Sequence, residues 1–359
     1  METKILSADN TENIKLCAKL ISSGRVVAIP TETVYGLGAN ALDKKAVREI
    51  FSIKGRPQDN PLIVHIATIR EVEKLVKEVP AVFNILARTF WPGPLTLIMK
   101  KSEIIPGNVT AGLDTVAIRM PRHQAALSLI SSCKTPIAAP SANLSGRPSP
   151  TKAVHVKSDL NGKIPYILDG GSCCIGLEST VLDISRKTPR ILRPGSVTIE
   201  DLSAVIKNVE ATPDINTLDS EISDTKIPDA EMKKSHEIDS PRSPGMKYLH
   251  YAPRAPLTAV LGSPDETAIY IKKQISDKTA ALMFDDFSIC HPNVVTYGKS
   301  DDYASQAINL FSALREFDAL DISQIYAQTP YADSLGYAIA DRIKKAAGSS
   351  IIDLKARIQ

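Results

Sequence analysis

The chain has 359 residues, of which 43% are hydrophobic and 23% are charged, and its formal net charge is +3. This length favours two domains of roughly 100–200 residues each over a single core. The composition is typical of a soluble globular protein, and the small net charge does not by itself call for a nucleic-acid partner.

The five cysteines are irregularly spaced, and the adjacent pair Cys173 and Cys174 has no second pair at metal-ligand spacing. This pattern argues against a zinc site and predicts reduced thiols in a cytoplasmic protein. The N-terminus lacks a basic region followed by an apolar run, and no apolar stretch approaches ~18 residues. We therefore expect neither export nor a membrane span.

The first elements place a polar loop after a buried strand. Asp9 and Glu12 resemble a capping box, which predicts a helix that ends near Gly24, and a strand follows at 26–29. Residues 31–38 are polar and contain glycine, so we expect a loop there. Loops that follow strands in open α/β sheets are where ligand groups collect.

Two cations, Lys54 and Arg56, are separated by one glycine and followed by prolines that stiffen the chain. A buried strand at 62–66 then carries His65. Basic groups on a stiff loop at the entrance to a strand suit an anion, such as a phosphate chain. An ordinary solvated turn accounts for the cations equally well, so these residues alone leave both alternatives open.

Several short strands follow, and polar groups lie at their ends. Trp91 is predicted to anchor the core at a proline-rich turn. Arg119 lies among apolar residues and therefore needs an anionic partner or a route to water. The loop at 140–149 concentrates hydroxyl groups, an amide and Arg147, which suits a site or a solvent loop. The strands are predicted at 95–99, 116–120, 137–139, 166–168, 181–184 and 191–193.

The composition changes after the first 207 residues. Residues 208–246 contain nine acidic and four basic residues without periodicity, which indicates a linker. Residues 243–253 gather two tyrosines, a histidine and a lysine, which favours either a docking segment or a turn at a domain boundary. The expected units are therefore 1–207, a linker at 208–253 and a small α/β domain at 254–359.

The last unit alternates strands with helices, which predicts a small parallel sheet covered on both faces. Neither the P-loop nor the dinucleotide-binding glycine fingerprint occurs in the chain. The predicted strands are 257–261, 279–284, 293–297 and 325–328, and the predicted helices are 264–276, 301–317 and 335–347.

Seven motifs occur in a fixed order along the first unit. They are 30–37 (PTETVYGL), 54–57 (KGRP) with 60–65 (NPLIVH), 91–96 (WPGPLT), 117–121 (AIRMP), 139–146 (APSANLSG), 178–180 (EST) and 192–195 (LRPG). Together they resemble the threonylcarbamoyl-AMP synthases of the YrdC/Sua type, in their long two-domain form. The resemblance implies a YrdC-like open, twisted, mixed sheet with helices, followed by a smaller Rossmann-like parallel α/β domain.

The resemblance also implies a reaction in which L-threonine, bicarbonate or CO2, and ATP give threonylcarbamoyl-adenylate and pyrophosphate. Mg²⁺ would arrive with ATP and would be held mainly by phosphates and water. The product would pass to a separate transferase complex that modifies an adenosine next to the tRNA anticodon, and a weak direct contact with tRNA stays open. The alternative is an RNA-binding module with a basic concave face. Related carbamoyl-transfer enzymes carry paired CxxC motifs, which this chain lacks.

Site residues follow from motif position under the same resemblance. The set assigned to catalysis is Lys54, Arg56, Ser141 and Asn143. The set assigned to ATP is Arg56, Asn60, Thr115, Ser141, Ser149, Arg193 and Tyr248. The set assigned to threonine is Thr33, His65, Arg119, Ala139 (through its backbone) and Ser179. Neither a metal site made by the protein nor a protein nucleophile is expected.

Three of these assignments carry a physical expectation. Arg119 is the expected partner of the threonine carboxylate. His65 is expected to form a polar wall rather than to act as a general base. The segment 243–253 is expected to fold over the mouth of the site and exclude water from a labile carbamate and adenylate.

Overall fold

A computed structural model describes residues 2–211 and 250–355 of the chain. Tyr248 and most of the predicted linker lie outside these residues. Among the described residues no helix combines the length and the hydrophobicity that crossing a membrane requires. The described residues form two sheets, one on each side of the gap, and the cavity described below lies in the first unit, where His250 and Tyr251 border it.

The first unit contains ten strands and seven α-helices. The strands are β1 (Lys4–Ser7), β2 (Val27–Ile29), β3 (Gly36–Asn40), β4 (Ile63–His65), β5 (Leu95–Lys100), β6 (Thr115–Arg119), β7 (Ile137–Ala138), β8 (Tyr166–Asp169), β9 (Thr180–Asp183) and β10 (Arg190–Arg193). The helices are α1 (Thr11–Ser22), α2 (Lys44–Lys54), α3 (Val72–Leu75), α4 (Phe83–Phe90), α5 (Gln124–Cys133), α6 (Ala153–Leu160) and α7 (Ile199–Ser203).

The ten strands form one mixed sheet in the order β1-β8-β2-β3-β7-β4-β6-β5-β9-β10. Pairing is parallel where β8 meets β1 and β2, and also between β4 and β6 and between β5 and β9. Alternate side chains of β2 face opposite layers, as the strand period requires. Val27 and Ile29 pack with α1 and α5, whereas Ala28 belongs to the larger core on the other face. The predicted mixed sheet with helices is confirmed.

The second unit is a smaller parallel sheet with helices. Its elements are β11 (Leu257–Leu261), α8 (Pro264–Lys272), β12 (Thr279–Met283), β13 (Val294–Thr296), α9 (Tyr303–Glu316), β14 (Gln324–Gln328), α10 (Ser334–Ala347) and β15 (Ile351–Asp353). The strand order is β13-β12-β14-β11-β15, and all four pairings are parallel. The predicted parallel α/β unit is therefore confirmed, and β15 is an addition that the pattern did not predict.

Two local predictions were wrong. The N-cap of α1 is Asn10, whose side-chain oxygen accepts a hydrogen bond from the Glu12 amide at 2.9 Å, so the Asp9–Glu12 capping box does not form. The segment predicted as a loop at 31–38 ends in a strand, β3, which pairs with β2 and β7. Gly38 lies where a Cβ atom would approach Ile137 to 3.0 Å, so glycine allows close strand packing despite its weak strand propensity.

Trp91 is a core anchor, as predicted. Its side chain is 6% exposed, and its indole N–H donates to the Leu95 carbonyl at 2.6 Å. The ring packs edge-on against Phe83, with 5.6 Å between ring centroids. The hydrogen bond to Leu95 ties the end of α4 to the start of β5, and the packing on Phe83 holds the indole against α4.

The two units share a tightly packed interface. Val34 and Leu177 of the first unit belong to the apolar cluster of the second, together with Phe311 of α9. Gly176 lies directly on α9, where a Cβ atom would come within 2.3 Å of the Ala307 carbonyl oxygen. The second unit therefore packs backbone against backbone on the first, next to the strand β9.

Among the described residues three ion pairs also cross this interface, and the third, Arg342 with Glu178, is described below. The Arg315 guanidinium lies 2.7 Å from Asp159, and both side chains are almost fully buried. Arg147 of the loop at 140–149 forms a bidentate pair with Asp318, which also accepts a hydrogen bond from the Arg254 amide. Buried charges need partners, so these pairs fix how the two units face each other.

Candidate active site

One cavity of the first unit is lined by ten of the residues assigned from the sequence. It spans about 750 Å³ of empty space, part of which is open solvent, and His250 and Tyr251 border it from beyond the gap. The ten residues are Thr33, Lys54, Arg56, His65, Arg119, Ala139, Ser141, Asn143, Ser179 and Arg193. They come from separate loops and strand ends that the fold brings together.

The sheet explains part of this convergence. Strands β4 and β6 are parallel neighbours, and their register pairs His65 with Arg119 at the ends of the two strands. Strand β7 runs antiparallel to β4 and places Ile137 opposite His65. The Ala139 amide then donates to the Ile63 carbonyl at 3.0 Å, so the loop that begins there stays against the sheet.

Arg119 has the anionic partner that its apolar strand required. Its guanidinium lies 2.8 Å from a carboxylate oxygen of Glu32, and both side chains are less than 5% exposed. It also donates to the Thr33 hydroxyl at 2.9 Å and to the Gly93 carbonyl at 3.2 Å. Burial alone would raise the pKa of Glu32, but the charge of Arg119, together with hydrogen bonds from Arg119 and from backbone amides, holds the pKa below its usual value. Glu32 was not assigned to the site from the sequence.

Lys54 is the last residue of α2, and its ammonium group anchors the loop on the far side of the cavity. It donates to the backbone carbonyls of Ser141 and Asn143, each at 2.5 Å. In return the Ser145 amide donates to the Lys54 carbonyl at 2.9 Å. Burial and the neighbouring Arg56 lower the pKa of Lys54 well below its usual value. Lys54 therefore holds the loop in place as well as lining the cavity.

Arg56 is differently placed, although it is only two residues further on. Gly55 between the two cations adopts the left-handed conformation with φ of 61°, which ends the helix and turns Arg56 towards the cavity. The Arg56 Nε atom is buried and has no hydrogen-bond partner among the described residues. Burial, together with the like charge of Arg193, lowers the pKa of Arg56 to about 10. A half-buried cation with an unused donor is suited to bind an anion.

Arg193 and Ser179 form a third group of contacts. The Arg193 guanidinium donates twice to the Ser179 carbonyl, at 3.1 and 3.0 Å, and once to the Ser179 hydroxyl at 3.2 Å. The same hydroxyl lies 2.7 Å from the Thr96 hydroxyl. Ser179 is therefore fixed in orientation by β10 on one side and β5 on the other.

His65 lies in the wall of the cavity as a neutral ring. Its Nδ1 faces the Ile63 carbonyl at 3.2 Å and donates to it. Burial, with a contribution from Arg119, lowers the pKa of His65 to about 3. A group that resists protonation so strongly is a poor general base near neutral pH, in line with the expected role as a polar wall.

The low pKa of His65 predicts an acid-sensitive fold. The unfolded chain takes up a proton at this residue below pH 6.5, whereas the folded chain does so only near pH 3, so stability falls as the pH drops between these values. At pH 5 this residue alone should cost about 2 kcal/mol. Urea unfolding at pH 7.5 and pH 5 should show a smaller loss for His65→Gln than for the unchanged protein. Equal losses would contradict the buried neutral ring.

Comparisons with known proteins agree with this geometry. A family profile described as "Telomere recombination" matches residues 19–195, and one described as "Threonylcarbamoyl-AMP synthase, C-terminal domain" matches 197–348. A threonylcarbamoyl-AMP synthase of Pyrococcus abyssi is 43% identical over 94% of this chain and 95% of its own length. The chain belongs to the threonylcarbamoyl-AMP synthase family. A Bacillus subtilis threonylcarbamoyl-AMP synthase is also 43% identical, over 96% of this chain and 95% of its own.

A solved structure extends the comparison with this family. It is described as the crystal structure of P. abyssi Sua5 complexed with L-threonine, with 42% identity and a TM-score of 0.87. The match covers 98% of this chain and 100% of that one. Both units, and not only the first, therefore share the fold of a threonine-binding member of the synthase family.

Three residues assigned to ATP from the family resemblance lie outside the cavity lining. Ser149 is fully buried, and its hydroxyl donates to a carboxylate oxygen of Glu178 at 2.5 Å. Asn60 is 1% exposed and Thr115 begins β6, and neither is among the residues that line the cavity. The fourth, Tyr248, lies outside the described residues. Their proposed contacts with ATP remain predictions.

Three further residues line the synthase cavity. Glu178 was missed by sequence reasoning, whereas His250 and Tyr251, which begin the described part of the chain after the gap, were expected at the mouth of the site. The last two belong to the segment expected to cover the site, and Tyr251 packs on Phe311 with 5.2 Å between ring centroids. Glu178 was quoted within a motif but was given no role.

The thiols near the cavity and the metal-ligating side chains of the described residues bear on how synthesis could proceed. Burial raises the pKa of Cys173 to about 12, so this thiol is a packing group, whereas Cys174 is exposed. Residues 2–211 and 250–355 contain no group of three His, Cys, Asp or Glu side chains that could hold a metal ion. The carboxylate in the cavity wall, Glu178, is already bonded on both oxygens.

Proposed function

We propose that this chain is an L-threonylcarbamoyladenylate synthase, a nucleotidyltransferase that uses L-threonine, bicarbonate or CO2, and ATP. One observation carries the proposal. The same cavity contains Arg119, which is suited to bind the carboxylate of an amino acid, and the cations Arg56 and Arg193, which are suited to bind phosphates. Family membership supports it. The proposed acceptor of the product is a separate complex that modifies tRNA.

The threonine half of the site is proposed around Arg119. Glu32, Thr33 and Gly93 each engage a different nitrogen of its guanidinium, and a guanidinium has five N–H donors, so two donors remain for a substrate carboxylate. A charge-assisted pair of this kind contributes about 1.5–3 kcal/mol. His65, Ser179 and the Ala139 backbone would complete the pocket as neutral polar walls.

The ATP half is proposed around Arg56 and Arg193, with the Ser141 and Asn143 loop that Lys54 holds in place. These cations would bind the phosphates before reaction and stabilise the charge that develops as pyrophosphate leaves. Mg²⁺ would enter as MgATP. Because Glu178 is engaged elsewhere, phosphate oxygens and water would supply its ligands.

The reaction follows from these placements. The neutral threonine amine attacks CO2 and loses a proton, or attacks bicarbonate with loss of water, and the new N–C bond gives a carbamate. A carbamate oxygen then attacks the α-phosphorus, a new P–O bond forms, and the bond to pyrophosphate breaks. Positioning and fixed positive charge supply the assistance, and no covalent enzyme intermediate is needed.

The direct test is to incubate the protein with threonine, bicarbonate and MgATP and to detect threonylcarbamoyl-adenylate by mass spectrometry. Pyrophosphate release should require both threonine and bicarbonate. Release that is independent of threonine would overturn the proposal. Salt-sensitive RNA binding without any turnover would favour the RNA-binding alternative instead.

A further inference from the structure

Arg342 is a fully buried arginine of the second unit that reaches into the first. It lies on α10, yet its Nε donates to Glu178 at 2.9 Å and its Nη2 donates to the Pro194 carbonyl at 2.9 Å. Its Nη1 donates to Asp341 of the same helix at 2.6 Å. The side chain has 0% exposure. Each nitrogen of the guanidinium therefore has a partner, two of them across the domain interface.

Stability alone is a weak reason for such a pair. Desolvation of two buried charges offsets much of their attraction, and apolar residues of similar volume commonly serve a fold as well. The other oxygen of Glu178, however, accepts the Ser149 hydroxyl at 2.5 Å. Arg342, Glu178 and Ser149 thus form one chain of contacts that begins in the second unit and ends at a residue assigned to ATP.

Charged and titratable groups face Glu178 from three elements. Arg342 comes from α10, Arg193 comes from the end of β10, and Tyr251 comes from the segment after the gap, while Asp341 of α10 acts on Tyr251. Burial acting alone would raise the pKa of Glu178, but Arg342, then Arg193, hold it below its usual value. Loss of Arg342 would leave a buried carboxylate beside Ser149 without its strongest partner.

We propose that Arg342 is a positioning residue for the ATP side of the cavity: it orients Glu178 and, through Glu178, the Ser149 hydroxyl. The proposal rests on the proposed function and on the assignment of Ser149 to ATP under the family resemblance. The second unit then supplies a part of the synthase site, although no residue of the second unit in the range 257–353 lines the cavity itself.

The test is a steady-state comparison of pyrophosphate release at varied ATP and varied threonine. Arg342→Met removes the charge and keeps the bulk, and it should raise the KM for ATP by roughly 10-fold or more. The KM for threonine should change by less than about threefold, since the Arg119 contacts are untouched. Arg342→Lys should restore part of the ATP affinity. The KM for ATP of Arg342→Met should also rise further as the pH falls from 8 to 6, while that of the unchanged protein stays flat.

The matched control is Asp159→Asn. It breaks the other buried ion pair across the interface, with Arg315, and Asp159 does not line the cavity. Its two KM values should stay near those of the unchanged protein. If Asp159→Asn and Arg342→Met lose the same activity, or if Arg342→Met raises both KM values equally, Arg342 is merely structural and the proposal fails.

A double-mutant comparison of Arg342→Lys with Glu178→Gln tests the proposal even if Arg342→Met does not fold. Glu178→Gln keeps a hydrogen-bonding side chain of the same size but removes the charge, so Arg342→Lys should change the KM for ATP much less in that background than alone. Additive effects would refute the linkage. The unchanged protein separates the two hypotheses. If it makes no threonylcarbamoyl-adenylate, the proposed function fails. If it is active and Arg342→Met has the same KM for ATP, only the inference about Arg342 fails.

Discussion

Alanine at position 56 is expected to lower pyrophosphate release by about 10²–10³-fold while the folded protein keeps its stability. Arg56 is half-buried in the cavity wall, its buried Nε has no hydrogen-bond partner among the described residues, and it lies close to the like charge of Arg193. Its removal therefore costs the fold little and takes away a donor that the phosphates would use. Thermal unfolding and a pyrophosphate assay on the same preparation measure both effects.

Lys54 is the matched comparison, because it differs from Arg56 in how its donors are used. Lys54→Ala leaves the carbonyls of Ser141 and Asn143 unpaired in a buried place, at about 1–3 kcal/mol for each group. We expect this variant to lose activity and also several degrees of melting temperature. Near-normal turnover in Arg56→Ala would show that Arg56 is not needed to bind the phosphates. Equal destabilisation in both variants would show that Lys54 contributes no more to stability than Arg56 does.

Valine should be a far poorer substrate than serine, although it matches the shape of threonine more closely. A site built to bond a hydroxyl group rejects an analogue that lacks it by about 10⁴-fold, whereas loss of one methyl group costs only about 10–200-fold. The polar walls around Arg119 are of this kind, since Thr33, His65 and Ser179 are all buried. Values of kcat/KM for the three amino acids, taken from pyrophosphate release at saturating ATP, give the ratios. Comparable use of valine and threonine would mean that the hydroxyl is not read.

The sequence predicted most of the architecture, because strong local patterns determine it. Alternation of strands and helices indicated the parallel sheet of the second unit, and its helix bounds were correct within a few residues. The exceptions have local causes. Strand β3 (Gly36–Asn40) has two glycines and little strand propensity, and tertiary pairing with β2 and β7 overrides that preference.

The sequence motifs predicted which residues line the site but not the contacts that hold them. Those motifs indicated the residues that line the cavity, but they carried no information about what holds each one. Arg119 was expected to need an anionic partner, yet nothing singled out Glu32 among the acidic residues. The partner of Glu178 is Arg342, which lies 164 residues further along the chain, and only the packing of the two units brings them together.

Gly176 allows the two units to pack closely because it has no Cβ atom. A methyl group there would overlap the Ala307 carbonyl and the Ile308 Cα atom, at 2.3 and 2.5 Å, and main-chain atoms cannot rotate out of the way as side chains do. Its positive φ of 80° adds strain to any substitution. A change at this loop position would therefore lift α9 off the first unit and draw Arg342 away from Glu178. Substitutions at position 176 should therefore be interpreted as defects in the packing of the two units, even though they alter no group that would touch a substrate.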